Sequence, residues 1–232
     1  MPEPLLLLPG MMCDARLFAP QIAALQGIAD IEVPDLTRAG TLDELAAEVL
    51  RNAPSRFNLA GLSMGGMVAL AMVAQAPERV ERLALLATNH RADNPERLGL
   101  RHAESARVRA GDLLGLTRDI LMPRYLGRDA RANPAIRAQV LDMLTSPGPE
   151  IYLRQSAALA GRPGREDVLR RFPRPVLAIS GAEDRGCPPE LHRDMAQLAP
   201  RGIALELPGT GHLITLEAPD AVSSALNRWL AS

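Results

Sequence analysis

The chain has 232 residues, with 26 basic side chains, every one an arginine, against 27 acidic ones, for a net charge of -1 at pH 7. So even a balance excludes a whole-molecule polyanion binder, and the length suits one large α/β domain with room for an insert. Hydrophobic residues make up 47% and aromatic residues only 3%, so the core has to be Leu, Ala, Val and Ile, with Met filling gaps.

Taken in order, Leu5-Leu6-Leu7-Leu8 is a continuous apolar run closed by Pro9-Gly10, the pattern of a central parallel strand buried on both faces. Leu17 to Leu25 has helical spacing. Ile31-Glu32-Val33 reads as a second strand closed by Pro34-Asp35. Thr41 caps a helix over Leu42 to Leu50, with Glu44 at the capping-box position. Phe57 to Ala60 is a third strand, Met67 to Ala74 a buried helix, and Leu83 to Ala87 a fourth strand. Residues 90–167 change character: they are Arg-rich, broken by Pro95, Pro123, Pro134, Pro147 and Pro149, and without strand signal. Short amphipathic helices are expected there over 101–108, 112–121, 133–144 and 150–159. The alternation then resumes with a strand at Pro175 to Ile179, a helix at Pro189 to Leu198, a strand at Ile203 to Leu207 and a closing helix at Ala218 to Leu230. The expectation is a mostly parallel six-stranded sheet with helices on both faces. Residues 1–89 and 168–232 would form the core, and residues 90–167 a helical lid. Cys13 and Cys187 make neither a metal pattern nor a disulfide framework. The four-Leu run lacks the basic flank of a signal peptide, and no apolar stretch reaches membrane-spanning length, so a cytoplasmic protein is expected, with no membrane or nucleic acid as partner.

Between the third strand and its helix lies Gly61-Leu62-Ser63-Met64-Gly65-Gly66. A G-x-S-x-G run between a strand and a helix is a nucleophile elbow: glycines on either side let neighbouring chain pass close, and the serine hydroxyl projects above the sheet at a helix N-terminus. Serine is a poor nucleophile at neutral pH and needs a base steered by a carboxylate. Of the four histidines, His212 is best placed, in the Gly-rich loop Pro208 to His212 after the last strand. His102 and His192 fall in helices and are expected to be solvated; His90 follows strand four at the functional edge. Asp184, directly after strand five, is the favoured carboxylate, with Glu183 and Asp93 as rivals, while Asp35 is expected to tie down its own loop. The oxyanion needs two donors. Met64 N–H follows the nucleophile, and Met11 N–H is preferred over Met12 in the loop after strand one, where Pro9 cannot donate. No cofactor and no metal are called for.

These residues resemble the α/β-hydrolase fold family over nearly the whole chain. Leu8-Pro9-Gly10 sits where the family usually has His-Gly; Gly61 to Gly66 is similar to the elbow of its esterases; Gly181 to Asp184 with Pro188-Pro189 resembles its acid loop; and Gly209 to His212 with Glu217-Ala218-Pro219 resembles its histidine loop. The resemblance implies Ser63, Asp184 and His212 as a triad under a lid made of residues 90–167, and a trimmed sheet that starts on the family's third strand.

Met11, Met12, Leu62, Met64, Met67 and Leu213 gather around the nucleophile by sequence logic, joined by His90 at the sheet edge and Tyr125 on the lid's inner face. That is an apolar, adaptable pocket suited to an aliphatic acyl group. Three readings follow: a hydrolase of small carboxylic esters, thioesters or lactones; a lyase or acyltransferase with the same triad; and a non-enzymatic receptor of this fold. The lid holds 13 of the 26 arginines against 10 acidic residues, about +3. Arg97 with Arg101, and Arg124 with Arg128 and Arg131, fall on shared helical faces. An outward basic face would meet an acyl carrier protein or the phosphates of coenzyme A.

Overall fold

The computed structural model describes residues 2–232. Six strands form one sheet: β1 (Glu3–Leu8), β2 (Ala29–Glu32), β3 (Phe57–Leu62), β4 (Val80–Leu86), β5 (Val176–Gly181) and β6 (Gly202–Leu207). Their order is β2-β1-β3-β4-β5-β6, and every pairing is parallel. The order reverses direction at β1, next to β3, which is where functional loops of an open α/β sheet gather.

The Leu run of β1 shows how the layers arise. Alternate side chains of a strand point to opposite faces. Leu5 and Leu7 join Leu17, Phe18, Leu226 and Trp229 on one side, and Leu6 and Leu8 join Leu45, Val68 and Met72 on the other. The first side is covered by α1 (Ala19–Ala24), preceded by a short 3-10 turn (Ala15–Phe18), and by the closing helices. The second is covered by α2 (Leu42–Asn52) and α3 (Met64–Gln75). Thr41 caps α2, its Oγ1 accepting from Glu44 N at 3.1 Å; Glu44 Oε2 reaches back to Gly40 N at 3.2 Å, one residue before the position a capping box would use. α3 is apolar all round and buried over ten residues from Met64 to Val73, as a helix sandwiched between sheet and α2 must be.

Between β4 and β5 the chain forms helices joined by loops, without a strand among the described residues. The helices are α4 (Pro95–Arg109), α5 (Leu113–Leu116), a π-helical turn (Thr117–Leu121), α6 (Met122–Tyr125), α7 (Arg128–Ala132), α8 (Pro134–Thr145), α9 (Pro149–Ala160) and α10 (Glu166–Arg171). α4 starts six residues before its expected limit because Pro95 occupies the first helical position and Asn94 caps Arg97 N at 2.8 Å. The short α6 and α7 lack the length for a periodic signal. α10 packs on α3 and on the helix Pro189–Leu198, so it joins the core layer although it straddles residue 167. α11 (Pro189–Leu198) lies between β5 and β6, and α12 (Ile214–Glu217) and α13 (Pro219–Leu230) close the chain. Among the described residues, no helix is long and apolar enough to cross a membrane.

Candidate active site

Ser63 sits between β3 and α3 with φ 55° and ψ -117°, a left-handed conformation that a residue with a Cβ adopts only under constraint. The constraints are visible. Ser63 N donates to Leu86 O at 2.9 Å, its carbonyl accepts from Gly66 N and Met67 N at 3.0 and 3.2 Å, and Thr88 Oγ1 donates to the same carbonyl at 2.6 Å. Thr88 N in turn donates to His192 Nε2 at 2.9 Å. His192 was expected to be solvated; instead it is buried, and burial pushes its imidazole down to about 4, leaving it neutral with Nε2 free to accept. The elbow is therefore propped from β4 and α11 by two residues whose role only a 104-residue contact reveals. A Cβ on Gly65 would lie 2.0 Å from Leu8 O, and one on Gly61 would lie 2.4 Å from Gly65 C, so both glycines are required by close approach of backbone.

His212 and Asp184 meet at the same end of the sheet, with Nδ1 and Oδ2 2.7 Å apart. The other Asp184 oxygen accepts from Gly186 N and Cys187 N at 2.8 and 2.9 Å. The rival carboxylates are occupied elsewhere. Glu183 accepts from Arg128 N at 2.7 Å, Asp93 pairs with Arg101 and Arg162, and Asp35 binds Thr37 and Arg38 in its own loop. His102 is exposed, and His90 is buried and lines a small cavity with Leu42, Leu70 and Pro163 that Ser63 does not line, so the expected place of His90 beside the nucleophile is corrected. The histidine loop is tied to the lid. His212 N donates to Tyr125 O at 2.6 Å, and the Tyr125 ring stacks on the imidazole with centroids 4.8 Å apart. Glu217 accepts from Gly127 N, Gly211 N and Leu213 N at 2.8 to 2.9 Å. Burial raises the Glu217 carboxyl, and these three donors pull it back.

Two backbone donors remain open beside Ser63. Neither Met11 N nor Met64 N has a hydrogen-bond partner among the described residues, whereas Met12 N donates to Gln155 Oε1 at 2.8 Å. Met12 is buried with φ 60° and lies outside the cavities that touch Ser63, so it backs the loop rather than lining the pocket.

Ser63 and His212 line two adjoining cavities. The smaller is apolar, with Gly10, Met11, Cys13, Leu62, Tyr125 and Leu213. The larger, about 80 Å³, is lined by Met11, Met67, Tyr125, Leu159 and Cys187 and also by the polar and charged Asn89, Asp93, Arg97, Arg101 and Arg162. The expected apolar pocket is thus corrected: beside its apolar residues α4 turns Arg97 and Arg101 inward. The expected outward basic face loses Arg124 as well, which is largely buried against Glu104 at 2.7 Å; Arg128 alone of the five is exposed, and Arg131 is half-buried.

The model of the alpha/beta hydrolase family matches residues 5–225. The chain belongs to that family. It is 30% identical to the pimeloyl-[acyl-carrier protein] methyl ester esterase of Xanthomonas oryzae pv. oryzae, over 98% of this chain and 95% of that one. Among solved structures it is similar to a thermophilic esterase from Thermogutta terrifontis (27% identity, TM-score 0.88, covering 99% and 89% of the two chains). It is also similar to the enol-lactonase of Burkholderia xenovorans LB400 (25% identity, TM-score 0.88, covering 100% and 93%).

For this α/β hydrolase the sequence reading missed His192, Thr88, Glu217 and the inward arginines as parts of the site. Glu217 carried a signal, since it stands five residues after His212 in the histidine-loop motif. The others carried none, because a helix face is turned inward or outward by what packs beside it.

Proposed function

We propose that this α/β hydrolase is a serine esterase that cleaves small carboxylic esters, thioesters or lactones through an acyl-enzyme. The observation that carries the reading is the 2.7 Å contact of His212 Nδ1 with Asp184 Oδ2 in the same pocket as the strained Ser63. In this reading Asp184 keeps the proton on Nδ1 and leaves Nε2 as the base. Ser63 Oγ attacks the carbonyl carbon and its proton passes to His212 Nε2. The oxyanion takes hydrogen bonds from Met11 N and Met64 N, donors that are aimed before the charge develops. The C–O bond to the leaving group breaks, and the alcohol (or thiol) departs with the proton from Nε2. Water then attacks the Ser63 ester, gives a proton to Nε2, and releases the acid as Ser63 recovers its proton. The relatives named esterase and enol-lactonase support this class of substrate.

Ser63→Ala tests the reading. It should keep the fold, lose about 10⁴–10⁶ in kcat on a p-nitrophenyl ester series, and lose labelling by a fluorophosphonate probe. Full labelling of the alanine variant would remove Ser63 from the role.

A further inference from the structure

The lid's inner wall is cationic in excess of what its own carboxylate neutralises. Arg97, Arg101 and Arg162 share one cavity with Ser63 and His212, and the wall carries a single acid, Asp93. All three nitrogens of Arg162 are engaged: Nε donates to Arg91 O at 3.0 Å, Nη1 to Leu159 O at 2.8 Å and Nη2 to Asp93 Oδ1 at 2.6 Å. Arg101 uses only Nε, which donates to Asp93 Oδ2 at 2.5 Å; its two terminal amines bond to nothing among the described residues, although its side chain is 7% exposed. Arg97 is half-buried, and its guanidinium has no hydrogen bond and no ion pair there. Both Asp93 oxygens are already taken; Glu104, one turn along α4 from Arg101, is paired with Arg124 and accepts from Tyr152; and Asp184 is committed to His212 and two backbone amides. The same three cations reach down to the catalytic end: burial and Asp184 push the Cys187 thiol up, while Arg162, Arg97 and Arg101 pull against them.

The free donors of Arg97 and Arg101 belong to side chains that line the cavity, where a bound anion can meet them with little further desolvation of protein charge. The planar fork of Arg matches a carboxylate in a two-bond contact. We infer that Arg97 and Arg101 form an anion subsite, so that the preferred substrates are esters or lactones bearing a free carboxylate distal to the bond that is cleaved. The inference rests on the serine-esterase reading for the chemistry at Ser63 and adds the specificity. Arg162 and Asp93 act as positioning residues, holding Arg101 in place.

The test compares monomethyl half-esters of succinate, glutarate, adipate and pimelate with their neutral dimethyl esters. At least one half-ester should exceed its diester tenfold or more in kcat/KM, chiefly through KM, with the advantage shrinking as salt is raised. Arg97→Gln is the clean variant, because Arg97 holds no partner whose loss would unfold the lid; it should reduce the half-ester to diester ratio at least tenfold, with Arg97→Lys between. Binding is read separately on Ser63→Ala by thermal shift with glutarate, glutaramide and inorganic phosphate. Glutarate should raise Tm, glutaramide should not, and Arg97→Gln should abolish the shift. Diesters cleaved as well as half-esters, or a Tm response equal for glutarate and glutaramide, overturn the subsite and leave the esterase reading standing. A response to inorganic phosphate without one to glutarate overturns the carboxylate assignment. Absence of turnover and of fluorophosphonate labelling together overturn the esterase reading, while the binding arm still decides the subsite.

Discussion

At the scale of single residues, the loops at the C-terminal ends of the strands carry several carboxylates, and what separates them is what each one touches. Asp184 is fully buried and divides its two oxygens between His212 Nδ1 and the amides of Gly186 and Cys187. Asp184→Asn keeps an oxygen for those amides but loses the acceptor that holds the imidazole tautomer. Its kcat should fall about four decades, with near-UV circular dichroism unchanged. Asp93 is as deeply buried, but its partners are Arg101 and Arg162, with side chains 7% and 4% exposed. Burial alone would raise its carboxyl; the hydrogen bonds from Arg162 and Arg101 override that and hold it below the usual range. Asp93→Asn leaves two buried guanidiniums without their anion, a change of the kind that costs about 3–5 kcal/mol. Urea titration should therefore single out Asp93→Asn, and burst-phase kinetics should single out Asp184→Asn. A folded Asp93→Asn that has lost catalysis while Asp184→Asn retains it would reverse the assignment.

At the scale of elements, the site depends on how closely α3 is seated on β1 and β3. Gly65 in the first turn of α3 presses on the backbone of Leu8 and Pro9, and a Cβ there would meet Leu8 O, Leu8 C and Pro9 O at 2.0, 2.5 and 2.7 Å. Backbone cannot rotate away as a side chain can. Gly65→Ala should lower stability by about 1–3 kcal/mol or more, and should also displace the loop that carries Met11 N. Gly99 is the internal comparison. It lies in the middle of α4 with nothing within 4 Å of its Cβ position, so Gly99→Ala should stabilise by about 0.5–1 kcal/mol. Thermal melts of the pair separate close approach from helix propensity; similar shifts in the same direction would contradict the packing argument.

At the scale of the whole molecule, acid sensitivity should report the buried neutral histidine under the elbow. His192 has its folded value pushed from 6.5 down to about 4. Above pH 6.5 neither state binds the proton and the contribution is fully present. As pH falls from 6.5 towards 4 the unfolded chain takes a proton that the folded one refuses, and stability drops by about 1.4 kcal/mol per unit. Below about 4 this contribution is flat. Burial shifts the His90 imidazole down as well, so urea midpoints measured from pH 7.5 to 4.5 should show at least that slope, and His192→Gln, which can still accept from Thr88 N, should reduce it. An unchanged slope in the variant would assign the acid loss to other groups.

Much of this hydrolase was legible in its sequence because it is encoded over short distances. The strand runs, the glycines around Ser63, and the order Ser63, Asp184, His212 depend on backbone geometry and on loops that must leave the same edge of a parallel sheet. The difference between the open N–H of Met11 and the occupied one of Met12 is not of that kind, because Met12 N is taken by Gln155 across 143 residues. What the tertiary structure alone decided are the choices made by burial and pairing across the chain. Arg162 meets Asp93 at a separation of 69 residues, and Thr88 meets His192 at 104. A helix of the sequence Pro95–Arg109 presents Arg97 and Arg101 on one face whether it stands alone or in the fold. Whether that face looks at solvent or into the cavity lined by Ser63 and His212 is set by how α4 packs on α9, because the cost of desolvating a charge exists only where other elements exclude the water.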